Sequence, residues 1–251
     1  MNQDAVKDLL YKIADDQLII GHRNSEWTGM GPILEEDIAF SSMAQDKVGH
    51  AQQFYTILNQ MGEQDPDTVA FMRNADQFHC CQMVELPNGE YDFSLIRHFL
   101  FDHAEYLRFS ALANCPMESV ANLSKKIKSE IKYHVMHADT WIKQLGTATE
   151  EAKARMQNSL NELLPYALGI FEPSKHEDTL ISEGFYPGEK AIEDQWWEAI
   201  SKVIDKTELT LPARESISPV YGGRYGTHTE HLQPLVEEMS EVFRLDPTAE
   251  W

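Results

Sequence analysis

The sequence predicts an all-α protein, an antiparallel four-helix bundle with additional C-terminal helices. Three observations lead there. Apolar residues recur at three- and four-residue steps over long segments. Gly, Pro and polar clusters separate those segments. The first four long segments are joined by short connections, which favours antiparallel neighbours. The first segment, Asp4 to about Trp27, carries Leu9, Leu10, Ile13, Leu18, Ile19 and Ile20 on helical steps. Gly29, Gly31 and Pro32 end it, and a proline suits the first turn of the next helix. The second runs from Ile33 to about Met61 and is closed by Gly62 and the polar stretch Glu63 to Asp67. Thr68 to Gln77 reads as a short helical link. Leu86-Pro87-Asn88-Gly89 is a turn signal, with a small hairpin as the alternative to a plain turn.

The third helix spans Asp92 to about Asn114 and is broken by Pro116. The fourth spans Met117 to Leu145 and is stopped by Gly146. Beyond it, Thr149 to Phe171 is a fifth helix, bent near Pro165, and Glu172 to Gly188 is loop. Glu189 to Lys206 is a sixth helix carrying Trp196 and Trp197, expected either with one in the core and the other at a partner contact or with both packed in the core. Thr207 to Gly226 is mostly irregular. A last helix covers Thr227 to Arg244, with Thr227 and Glu230 spaced as a capping box. The expected organisation is one domain over 1–251, with a bundle core at 1–146 and a helical extension at 147–251.

Forty-one Asp and Glu against 21 Lys and Arg give a net charge of -20. Such a surface repels phosphate backbones, so nucleic acid is excluded as a partner. No apolar run reaches the roughly 18–20 residues of a membrane span. The acidic stretch Met1 to Leu10 lacks the basic start and apolar core of a secretory signal, so a cytoplasmic protein with no membrane contact is expected. Cys80, Cys81 and Cys115 have neither disulfide nor zinc-motif spacing and read as reduced thiols. No nucleophile elbow, phosphate loop, dinucleotide fingerprint or metalloprotease motif is present.

The most specific chemical signal is a set of carboxylates and imidazoles at matching depth. Asp46 and His50 are four apart on the second helix, hence on one face. Reflected through the turn near residue 30, Asp46 falls beside Asp15 and Asp16. Glu130 and His134 are four apart on the fourth helix, and Glu130 reflects onto Asp102. Four-helix bundles hold two-metal centres with one Glu from each of two helices and Glu-x-x-His from each of the other two. Oxygen and imidazole ligands of this kind suit iron or manganese. Here the pairs are stepped by four, not three, and three of the four carboxylates are the shorter Asp. Lys47 and Ile131 stand three residues before the histidines. The expectation is therefore a vestigial, metal-free polar layer of Asp15, Asp46, His50, Asp102, Glu130 and His134, with Glu105, His103 and His137 as alternative inward groups and no cofactor in this chain. A working iron or manganese centre, making the chain a di-metal oxidase or oxygenase, is the alternative.

Several stretches carry a family resemblance. They are Asp15-Asp16-Gln17-Leu18-Ile19-Ile20-Gly21-His22-Arg23-Asn24-Ser25-Glu26-Trp27, Glu35-Glu36-Asp37-Ile38-Ala39, Gln45-Asp46-Lys47-Val48-Gly49-His50-Ala51-Gln52, Leu86-Pro87-Asn88-Gly89, Phe101-Asp102, Tyr133-His134, and Gly222-Gly223-Arg224-Tyr225-Gly226-Thr227-His228-Thr229-Glu230-His231-Leu232. In these the chain resembles the C subunit of the bacterial phenylacetyl-CoA epoxidase. The resemblance implies a ferritin-like fold and a structural role beside a catalytic A subunit that holds the di-iron site. It also implies partnership with other subunits of the complex, or with further copies of the chain, in aerobic phenylacetate catabolism. That complex forms the ring-1,2-epoxide of phenylacetyl-CoA with O2 and NADPH-derived electrons. Arg224 within the glycine-rich stretch is either part of a plain turn before a well-capped helix or, alternatively, a contact to a CoA phosphate or to an acidic partner segment. Trp251 is a candidate for docking on a subunit surface.

Overall fold

A computed structural model describes residues 1–249 of the chain, and Trp251 lies outside the described residues. All regular structure among them is helical. The chain divides into two compact units, one of Met1–Pro87 with the C-terminal segment from Gly222, the other of Asn88–Tyr221.

In the first unit, α1 (Gln3–Ser25) starts where the Asn2 side chain accepts from the Ala5 N–H at 3.2 Å. Its stretch from Lys12 to Gly21 is buried at every position. A helix enclosed all round must find partners for the polar groups it carries, and this one carries Asp15, Asp16 and Gln17. α2 (Leu34–Gln60) packs along α1 after a short connection, which makes the pair antiparallel. The expected link from Thr68 to Gln77 is two pieces: α3 (Pro66–Phe71), capped by Asp65 with a proline in its first turn, and a 3-10 turn at Ala75–Gln77. A one-turn α4 (Gln82–Glu85) follows and packs on α1.

The second unit is built around α5 (Tyr91–Leu112), against which α6 (Glu118–Leu145), α7 (Glu150–Leu168) and α9 (Glu189–Ile204) pack. The stretch 172–188, expected to be loop, contains α8 (Glu177–Ser182). Pro165 lies inside α7, which ends in a 3-10 turn at Gly169–Phe171. Trp196 is fully buried, donates from Nε1 to the Leu100 carbonyl at 2.8 Å and lies 5.1 Å from the Phe171 ring. Trp197 is half-buried and is covered by the Arg214 guanidinium, 5.9 Å from its ring. The Asn88 region forms a turn, not a hairpin: the Asn88 carbonyl accepts from Ser94 Oγ at 2.8 Å just ahead of α5.

The expected fifth and sixth helices are α7 and α9, which pack on α5 within the second unit. One boundary differs from the sequence expectation. The last helix, α10 (Leu232–Leu245), starts five residues later than the capping-box pattern places it. The Thr227 carbonyl accepts from Gln82 Nε2 at 2.9 Å, and Thr229 is bound to Glu85, so these residues tie the segment to α4 instead of opening a helix. α10 then packs on α3, with Phe71 and Phe243 rings 5.4 Å apart.

The glycine-rich stretch makes that return possible. Gly226 adopts φ +78°, favoured by glycine, and a β-carbon on Gly223 would lie 2.2 Å from the Cys80 carbonyl oxygen. That oxygen belongs to backbone and cannot swing aside. Gly223→Ala is therefore expected to lower the stability of the chain by about 1–3 kcal/mol in urea unfolding, whereas Gly49→Ala, with open space around it, leaves the steric fit intact. Equal losses at the two positions would contradict the close approach.

Candidate functional site

A buried polar cluster of the first unit is built on Asp15 and Asp16. Neighbours on a helix point about 100° apart, so each carboxylate has its own surroundings. Asp15 is fully buried and accepts four hydrogen bonds. Arg73 donates from Nη2 to Oδ1 at 2.5 Å and from Nη1 to Oδ2 at 3.0 Å. Tyr55 donates its hydroxyl to Oδ1 at 2.6 Å, and the His79 N–H reaches Oδ2 at 2.7 Å. Arg73 is further held by the carbonyls of Val69 and Gln77, and its guanidinium lies 4.1 Å from the Phe78 ring centre. Burial by itself would raise the Asp15 carboxyl. The attraction and hydrogen bonds of Arg73 outweigh it and hold the group below the usual carboxylate range. Tyr55 is pushed well up by burial and by the Asp15 charge.

Asp16 takes a second arginine from the other end of the sequence. Arg224 donates from Nη1 to Oδ1 at 2.7 Å and from Nη2 to Oδ2 at 2.8 Å, and the Cys81 N–H donates to Oδ1 at 2.8 Å. Such forked pairs are the strongest and most directional of ionic hydrogen bonds. The same guanidinium reaches the His79 carbonyl at 2.8 Å. Arg224 is thus committed inside the protein, and the phosphate contact raised as an alternative is overturned.

The other candidates of this unit are placed differently. His50 is buried with Nδ1 3.1 Å from Gln17 Oε1. Asp46 is half-buried, and the fully buried residue beside it is Lys47. A carboxylate gripped by a guanidinium already has its charge compensated, and a metal ion placed beside it meets a fixed positive charge. Asp15 does not fit the role of a metal ligand in this arrangement, and Asp16 does not either.

In the second unit Asp102 is fully buried, with His98 Nδ1 at 3.1 Å from Oδ2 and His134 Nδ1 at 4.0 Å from Oδ1. Glu130 is one-third exposed at its side chain and faces Lys126 at 3.9 Å. Of the three candidates here, the fold draws Asp102 and His134 together and leaves Glu130 toward the surface. His103 and Glu105 serve elsewhere. His103 Nε2 meets Asp139 at 2.8 Å, and Lys143 reaches the other Asp139 oxygen at 3.1 Å. Burial would raise Asp139, but these two partners bring it down. Glu105 binds Arg108, which also reaches Glu189 at 3.2 Å and the Ile170 carbonyl at 3.3 Å, all buried. Helical pattern and spacing do not reveal Arg73, Arg224, His98 and Glu189 as partners. The available signal is charge arithmetic: acidic residues on an all-buried helix need cations, and only 21 Lys and Arg exist.

The family model described as "Phenylacetic acid catabolic protein" matches residues 1–251. The chain belongs to that family. Among curated proteins, the C subunit of the 1,2-phenylacetyl-CoA epoxidase of Escherichia coli (strain K12) is 29% identical to it over 241 residues, covering 96% of both chains. The family likeness thus extends over both units, including the C-terminal segment that carries Arg224. No helix among the described residues is long and apolar enough to cross a membrane.

The Asp15–Arg73 pair sets a pH dependence. A carboxyl whose folded pKa lies below its unfolded value contributes stability that is complete above about pH 4 and is lost as pH falls through the folded pKa. Asp15→Asn strands Arg73, whose side chain is only 13% exposed, and is expected to cost about 3 kcal/mol near neutrality. The gap between wild type and variant, measured by urea unfolding, should narrow as pH falls below about 4. A gap that stays constant down to strong acid would refute the pairing.

Proposed function

We propose that this chain is the structural, non-catalytic C-type subunit of a multicomponent phenylacetyl-CoA epoxidase in the cytoplasm. In this reading it pairs with and stabilises the catalytic A-type subunit, which carries the di-iron centre. The fold class in this reading is ferritin-like, and each of the long-helix pairs α1/α2 and α5/α6 has the antiparallel hairpin form that such a fold uses. The observation that carries the proposal is the occupation of both α1 carboxylates by arginine. A helix that donates a bridging carboxylate to a pair of metal ions must leave that carboxylate open. Here Asp15 and Asp16 are saturated by Arg73, Arg224, Tyr55 and two backbone N–H groups. The partial exposure of Asp46 and Glu130 supports the same reading. The extended likeness to an epoxidase C subunit supplies the pathway.

Retention of the family's helices without its redox chemistry fits a protein whose product is a surface. The contribution to catalysis is then thermodynamic: binding the folded partner stabilises it by mass action. Co-expression with the A-type subunit is expected to yield a joint complex in size-exclusion chromatography. The chain isolated alone should hold iron and manganese well below one ion per molecule and turn over no phenylacetyl-CoA. Failure of the two chains to co-purify defeats the pairing. Two iron or manganese ions per chain, lost in Asp46→Ala and Glu130→Ala, establish instead the alternative of an oxidase with its own metal centre.

A further inference from the structure

Cys80, Glu85 and His228 come from the connection before α4, from α4 itself and from the C-terminal segment, all within the first unit. One donor atom of each lies within 4.8 Å of the others. Glu85 Oε1 is the hub, 2.6 Å from His228 Nδ1 and 3.8 Å from Cys80 Sγ. Cys80 and Glu85 are buried, and His228, half-buried as a residue, keeps 5% side-chain exposure. The arginine pairs on α1 use none of these atoms.

Each donor is aimed by a second contact. His228 Nε2 lies 3.0 Å from the Phe78 carbonyl oxygen and carries a proton toward it, which leaves Nδ1 as the coordinating nitrogen. Metal-bound histidines commonly have their other nitrogen held in this way. Glu85 Oε2 accepts from the Thr229 N–H and hydroxyl, each at 2.7 Å, which leaves Oε1 facing the sulfur and the imidazole. The geometry points to a binding site for a divalent transition-metal ion of the zinc class, with Cys80 Sγ, Glu85 Oε1 and His228 Nδ1 as protein ligands and water in the fourth position.

Ligand type and charge agree. A mixed sulfur, nitrogen and oxygen set suits zinc. A dication with one thiolate, one carboxylate and a neutral imidazole sums to zero, which is what burial demands. Zinc bonds of about 2.0–2.3 Å place tetrahedral ligands roughly 3.3–3.8 Å apart. The sulfur–oxygen distance already meets this, and the histidine and glutamate part by about 0.7 Å to admit the ion. Without metal, one proton lies between Nδ1 and Oε1 and another on Sγ, a thiol that burial and Glu85 push well up. Binding of one M2+ forms the S–M, O–M and N–M bonds and expels both protons, so two positive charges enter and two leave. The ion fastens the C-terminal segment to α4, a structural role independent of the epoxidase reading.

The purified full-length chain, stripped with a chelator, is titrated with Co2+. One equivalent is expected to produce a near-ultraviolet thiolate-to-cobalt band, displaced by Zn2+, absent in Cys80→Ser and retained in Cys81→Ala. Calorimetry of Zn2+ binding to the unaltered chain, in buffers of different ionisation enthalpy, should report release of two protons per ion. That measurement stands even where a variant does not fold. No cobalt band in the unaltered chain, a band that persists in Cys80→Ser or follows Cys81, or binding without proton release overturns the site.

Discussion

The first unit depends on the pairing of two consecutive aspartates with two arginines that arrive from far along the chain. α1 is enclosed along its middle, and an unpaired carboxylate there would cost several kcal/mol. Arg73 answers Asp15 from the connection after α3, and Arg224 answers Asp16 from the last thirty residues. Neither interaction is a surface ornament. The guanidinium groups also bind backbone carbonyls at Val69, Gln77 and His79, so they organise the irregular chain between α3 and α4 at the same time. Charge pairing in this protein therefore does what regular secondary structure does elsewhere: it fixes loops.

The second unit solves the same problem with different residues. Arg108 gathers Glu105, Glu189, the Tyr186 hydroxyl and the Ile170 carbonyl, joining α5 to the start of α9 and the end of α7. Asp102 is met by two imidazoles, His98 at 3.1 Å and His134 at 4.0 Å.

The long helices are legible in the sequence because their apolar steps and their punctuation agree. α1, α2, α5 and α6 fall within a few residues of their expected ends. What local pattern misses is set by distant contacts. Thr227 and Glu230 have capping-box spacing, yet Gln82 and Glu85 claim the Thr227–Thr229 stretch and the helix waits until Leu232. Among the residues that reflection through the turns brings to one depth, Asp15, His50, Asp102 and His134 are buried. Reflection also includes Asp46 and Glu130, because depth along a helix says nothing about which way a side chain faces. Arg224 is visible as an unusual residue among glycines, but its partner lies 208 positions away, beyond what local pattern can connect.

The arrangement of the C-terminal segment has a consequence for biosynthesis. The second unit is one unbroken stretch, 88–221, so it can fold once the ribosome has released it. The earlier unit cannot: the cation for Asp16 and the imidazole for Glu85 are made only after the whole second unit. During translation α1 therefore waits, with an uncompensated acid in its apolar middle, while a later part of the polypeptide matures first. A nascent chain held in this state is a natural client for a chaperone.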